Sequence, residues 1–96
     1  MKESQSVTNS LLIEVDFLSN RLKNIKRSFK TTNNKALKER LFLENKNLFT
    51  RVNEINKIAE LLNKKNNEKI NFSKLLIEST KRTLNENKFE SNLFFL

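Results

Sequence analysis

The side chains able to do chemistry in this 96-residue chain are few in kind: ten Glu and one Asp (Asp16), 19 Lys and Arg, and many Ser, Thr and Asn, with no His, Cys, Gly or Pro. Proton transfer near neutral pH is usually carried by His, or by a carboxylate or Lys whose pKa is shifted in a dry pocket. Here His is absent, and Glu39, Glu44, Glu54, Glu60 and Glu78 fall mainly among Lys, Arg and Asn on what the sequence marks as solvated faces. The hydroxyl residues have no evident base to activate them. A phosphate-cradling loop needs Gly so that backbone amides can approach the ligand, and there is none. Sites built on His or Cys are excluded, and an all-Glu bundle site would want carboxylates on the apolar seam, which Glu44 and Glu60 miss by one position. The reading is non-enzymatic, with no catalytic residue, metal, cofactor or small-molecule substrate.

The cations are the stronger signal. The chain carries a formal charge of +8, and it is not spread evenly. Residues 21–40 hold Arg21, Lys23, Lys26, Arg27, Lys30, Lys35, Lys38 and Arg40 against Glu39 alone, net +7, whereas residues 1–20 sum to −2. Such a concentration attracts anions: acidic protein, nucleic acid or acidic membrane. Two plainer accounts compete. Lys, Asn, Ile, Phe and Leu all use A/T-rich codons, so base composition alone can raise the basicity. Cations near a helix C-terminus also complement its dipole, but that covers Lys26, Arg27 and Lys30, not Lys35, Lys38 and Arg40 at the start of the next helix. The basic docking pole is therefore assigned to Arg21, Lys26, Arg27, Lys35, Lys38 and Arg40. No zinc finger, RNP aromatic set or Gly-containing helix turn accompanies it, so nucleic acid is the alternative partner, bound through phosphates without strong sequence preference.

Two further features invite partners. Asn45 interrupts an apolar seam, where a buried Asn fixes register or oligomeric state, or else lies beyond the facing helix in water. The C-terminal Leu93, Phe94, Phe95 and Leu96 form an apolar tail that either docks on another surface or packs across the bundle end.

The elements that position these groups follow from spacing. Leu11, Val15, Leu18, Leu22, Ile25 and Phe29 step by 4, 3, 4, 3, 4, a heptad rhythm. Thr8 fits the preceding seam position, and Thr8, Asn9 and Ser10 are plausible caps, giving a helix over about 9–31 after a flexible lead-in of residues 1–8. Thr31–Asn34 reads as a turn. Leu37, Leu41, Asn45, Leu48, Val52, Ile55, Ala59 and Leu62 restart the rhythm over about 35–64, with Phe42 and Phe49 widening the apolar face. A second polar break at 63–71 precedes a weaker helix over about 72–88, whose later turns are diluted by Ser79, Thr80 and Thr83; a tail of 89–96 follows.

The expected fold is all-α: an antiparallel helical hairpin with a heptad seam of Leu11, Leu18, Leu22, Ile25, Leu41, Leu48, Val52 and Ile55, completed by a shorter third helix into a small three-helix bundle. Its limited core makes self-association expected. In an up-down-up arrangement the third helix would bring Lys81, Arg82 and Lys88 to the basic pole. The most apolar run, Leu11–Ile13, is broken by Glu14 and Asp16, far from a membrane span, and the first residues lack a signal-peptide pattern, so the setting expected is cytoplasmic. The expected function is that of a helical interaction or adaptor protein, or a small subunit of a larger assembly, binding a protein partner or a second copy of itself through its coiled-coil-like seam, basic pole and apolar tail.

Overall fold

With neither Gly nor Pro to break them, the two seam-bearing segments form single long helices. The computed structural model describes residues 2–65 and 72–87, in which α1 spans Lys2–Thr31, α2 Lys35–Lys65 and α3 Phe72–Glu86. No strand occurs among the described residues. The architecture is an all-α bundle of three helices, 50 Å along its longest axis; α2 alone accounts for ~46 Å of that at ~1.5 Å per residue. None of these helices is long and apolar enough to cross a membrane.

The first turn is built as its residue types suggest. Thr32 N–H donates to Ser28 O, and Thr31 Oγ1 donates to Arg27 O, closing α1. Asn34 then caps α2: its Oδ1 accepts from Leu37 N–H at 3.1 Å, and its main-chain oxygen accepts from Lys38 N–H. An N-cap Asn satisfies one of the first-turn amides that would otherwise be unpaired. No described residue has positive φ, so this connection forms without Gly. The start of α1 differs from expectation. The helix begins at Lys2 rather than near residue 9, so residues 2–8 are helical instead of a flexible lead-in. Thr8 serves the seam rather than capping: it is buried three residues ahead of Leu11 and one heptad ahead of Val15.

Two ion pairs fix α2 antiparallel to α1. Arg21 donates through Nε and Nη2 to the two oxygens of Glu44, and Arg51 does the same to Glu14. Inside them lie Val15, Leu18 and Leu22 of α1 against Val52, Ile55 and Ala59 of α2, joined by Leu76 of α3. A smaller cluster of Ile25, Phe29 and Leu41 sits nearer the turn, and Leu48 packs against both. Each of the eight expected seam residues is buried or half-buried.

α3 runs antiparallel to α2. Ser73 Oγ donates to Asn63 Oδ1 at 3.3 Å, and Asn56 Nδ2 donates to Thr80 Oγ1 at 2.7 Å. At 15 residues it is half as long as α2. Starting opposite Asn63, it covers the half of the hairpin away from the turn. Residues 66–71, Lys88 and the tail residues Leu93, Phe94, Phe95 and Leu96 lie outside the described residues.

Candidate protein-interaction surface

The helical period sets which cations share a face. Lys23, Lys26, Arg27 and Lys30 stand at i, i+3, i+4 and i+7 on α1, so one stripe carries all four. They line an open groove of about 340 Å³ whose other wall is the C-terminal end of α3, Glu86 and Asn87. Lys26 Nζ reaches across it to the main-chain oxygen of Glu86 at 3.4 Å, a cation on an unpaired carbonyl at a helix C-terminus. Lys23, Arg27 and Lys30 are exposed, and among the described residues no carboxylate is ion-paired to any member of the stripe.

The six residues of the expected pole separate into four groups. Arg21 is committed to Glu44, whose carboxyl is held below its ordinary pKa chiefly by that hydrogen bond; the same bond raises Arg21. Lys38 is half-buried with its Nζ 5.4 Å above the Phe29 ring, a cation–π contact across the turn. Lys26 and Arg27 belong to the groove, while Lys35 and Arg40 are exposed on the first turns of α2. Lys23 and Lys30, which complete the stripe, stand out only once the helical face is drawn rather than the run of charge. Lys81 and Arg82 are exposed on α3 but do not line the groove; its end contributes Glu86 and Asn87.

The carboxylates are used differently. Glu14 and Glu44 each face one arginine, and Arg51 also reaches Glu54 at 3.3 Å. Arg51 holds Glu14 below the usual carboxylate range chiefly through the hydrogen bond; burial opposes it, and the charge of Arg51 adds a smaller lowering. These pairs staple the hairpin and present no reactive group.

The chain matches no family model, no curated protein and no solved structure. The reading of this surface therefore stands on its own geometry.

Asn45 lies inside the hairpin, not in water beyond it. It is 5% exposed, and its Nδ2 has no acceptor. A second buried amide, Asn87, donates from Nδ2 to Thr83 O at 2.9 Å and leaves Oδ1 without a donor. Asn87 was hidden in a polar stretch of sequence. It lies four residues beyond Thr83, which is the signal that finds it: Ser73, Leu76, Thr80, Thr83 and Asn87 step by 3, 4, 3, 4, a seam in which four of five residues are polar, and all five are buried.

Proposed function

We propose that the chain is a non-enzymatic helical interaction protein, an adaptor or small subunit of a larger assembly, whose α1 stripe of Lys23, Lys26, Arg27 and Lys30 receives an acidic segment of a partner protein. The observation that carries this reading is four cations on one helix face, lining one open groove, with no carboxylate among the described residues ion-paired to any of them. Elsewhere on the same hairpin Arg21 and Arg51 are matched to carboxylates; other exposed cations such as Lys46, Lys57 and Lys81 stand singly, whereas those of the stripe share one helix face and one groove. Lys35 and Arg40 extend that charge around the turn.

A protein partner fits better than a nucleic acid for two reasons. Glu86 stands on the far wall of the groove, where it repels a continuous phosphate track, whereas an amphipathic acidic helix can turn its acidic face to the stripe and a neutral or basic residue to Glu86. The stripe spans eight residues of helix, ~10 Å, the length of two turns of an acidic helix rather than of an extended backbone.

The test is fluorescence anisotropy of the full chain with two probes, an Asp/Glu-rich amphipathic peptide and a random-sequence nucleic-acid duplex, each at 50 and 300 mM salt. The peptide should bind, weaken with salt, and lose at least about tenfold in affinity in a Lys26→Glu/Arg27→Glu variant. Tighter binding of the duplex, lost in the same variant, would replace the protein partner by nucleic acid. Binding of neither probe at low salt would end the reading. Sedimentation of the same samples reports whether the small core drives self-association.

A further inference from the structure

The core is sealed further along the hairpin than α3 reaches. Two packed helices leave the edges of their seam open to water, and a third surface is needed to close it. Over the half away from the turn α3 is that surface: Leu76 sits in the larger cluster, with Ile77 and Leu84 packed against it. The smaller cluster of Ile25, Phe29 and Leu41 has no member from α3 among the described residues. Their exposures are nevertheless 0%, 5% and 7%. Lys38 accounts for one side of the Phe29 ring through its cation–π contact, and the seam beside that ring still has to be closed.

The register of α3 on α2 leads to the group that closes it. The hydrogen bonds Ser73 to Asn63 and Asn56 to Thr80 stand seven residues apart on both helices, which run in opposite directions. Seven residues are close to two full turns, so each step of seven returns to the same face. The next step pairs Phe49 with Asn87, and both are withdrawn from water: Phe49 packs against the larger cluster, and Asn87 is buried. One step more leads to Phe42 on α2 and to position 94 of the chain, which is Phe94. Phe42 adjoins Leu41 and is 38% exposed. On α1 the corresponding face continues as Phe29, one heptad beyond Leu22 and two beyond Val15, both of which share a cluster with Leu76. Phe49 and Phe42 are ~10 Å apart along α2, and the seven residues from Asn87 to Phe94 cover that distance even at the ~1.5 Å rise of a helix.

We infer that residues 88–96 of this same chain occupy the turn end of the α1–α2 groove, with Phe94 seated against Phe42 and Phe29, closing the smaller cluster as α3 closes the larger one. The tail of a second copy is the poorer occupant, because it would bring another +7 pole against the first, whereas Lys88 and Glu90 leave the chain's own tail neutral. The apolar tail is thereby a strap of the bundle and not a peptide offered to a partner. The inference does not depend on the cationic stripe, so the two can fail separately.

The experiment uses the full chain with Phe94→Trp, in a sequence that has no other Trp and no Tyr. Acrylamide should quench the indole several-fold less in the native protein than in the same protein unfolded by guanidinium. Adding Phe42→Ala should raise that quenching while circular dichroism keeps its helical signal. The shielding should also be the same at low and high protein concentration. In parallel, Phe94→Asp should cost the amides around Ile25 and Leu41 at least about tenfold in hydrogen-exchange protection and leave those around Val15 and Ile55 unchanged. An indole quenched as freely as in the unfolded chain would overturn the inference, as would shielding indifferent to Phe42→Ala. Shielding that fades on dilution would assign the site to a second copy and overturn it too. So would full protection around Ile25 and Leu41 in Phe94→Asp. Loss of acidic-peptide binding with these results intact would strike only the proposed function.

Discussion

Lys35 stands at the first position of α2, where exposed amides carry the positive end of the helix dipole, and no acidic residue accompanies it in that turn. A cation there is unfavourable by about 0.3–1 kcal/mol. Lys38, one turn on, is compensated by the Phe29 ring; Lys35 has no such contact. A residue that works against its own helix is better explained by an external partner than by folding. Lys35→Glu should therefore raise stability by about 0.3–1 kcal/mol in chemical denaturation while weakening binding of the acidic peptide. Unchanged binding would remove Lys35 from the docking surface. Glu14 and Glu44 make the opposite case. Both carboxyls are held below the ordinary value of 4.5 by hydrogen bonds from arginine. A depressed carboxyl contributes stability that is fully present above its unfolded pKa and is lost as pH falls through the folded one. Melting temperature should thus be flat with respect to these groups near neutrality and fall below about pH 4.5. Each pair is half exposed to solvent, so the share per pair is about 0.2–1 kcal/mol. The double variant Glu14→Gln/Glu44→Gln should melt lower at pH 7 and show a shallower acid limb. An unchanged acid limb would mean that the pairs do not hold the hairpin.

At the scale of elements, the outcome turns on how strongly each helix writes its period in apolar residues. Leu11 to Phe29 and Leu41 to Leu62 were legible as seams because the heptad positions differ in hydropathy from their neighbours, and the 32–34 turn was legible because Asn and Thr bond their own backbone there. α3 obeys the same period, but with Ser73, Thr80, Thr83 and Asn87 on its buried face; hydropathy sees dilution where geometry finds a seam. The early start of α1 was missed because Thr8 is small and polar enough to read as a cap. The cationic stripe was half legible, since a count along the chain finds the charge and only the i, i+3, i+4, i+7 face finds the groove. Asn45 shows the remaining gap: sequence places it on the seam but cannot say whether the facing helix reaches it. It does, and the unpaired Nδ2 lies between Leu41 and Leu48, which belong to the two core clusters. A buried donor without an acceptor costs about 1–3 kcal/mol. Asn45→Leu should raise stability by about that much and join the clusters into one core. A loss of stability would show that Asn45 has a role the buried hairpin does not explain.

For the whole molecule, the decisive quantity is where the charge lies. Residues 21–40 hold +7 of the +8, so the remainder of the bundle is nearly neutral. Neighbours on the stripe are ~5–6 Å apart, well inside the ~10 Å screening length of 0.1 M salt. At low ionic strength the pole repels itself along the face of α1 that lines the groove. The two interhelical pairs, Arg21–Glu44 and Arg51–Glu14, pull in the other direction and are screened by the same salt. Four cations on one face, none ion-paired to a described carboxylate, outnumber them, so screening should relieve more repulsion than it removes attraction. The melting temperature should rise by a few degrees between 10 and 200 mM NaCl, given that 1 kcal/mol shifts it by about 4–8 °C in a domain of this size. Arg27→Gln/Lys30→Gln should melt higher than the native chain at 10 mM and gain little from added salt, because it lacks the repulsion that salt relieves. Circular dichroism at 222 nm in the two salts reads both. A melting temperature that falls with salt in the native chain would mean that the stapling pairs outweigh the stripe, and that the pole is a balanced part of the fold rather than charge held ready for a partner.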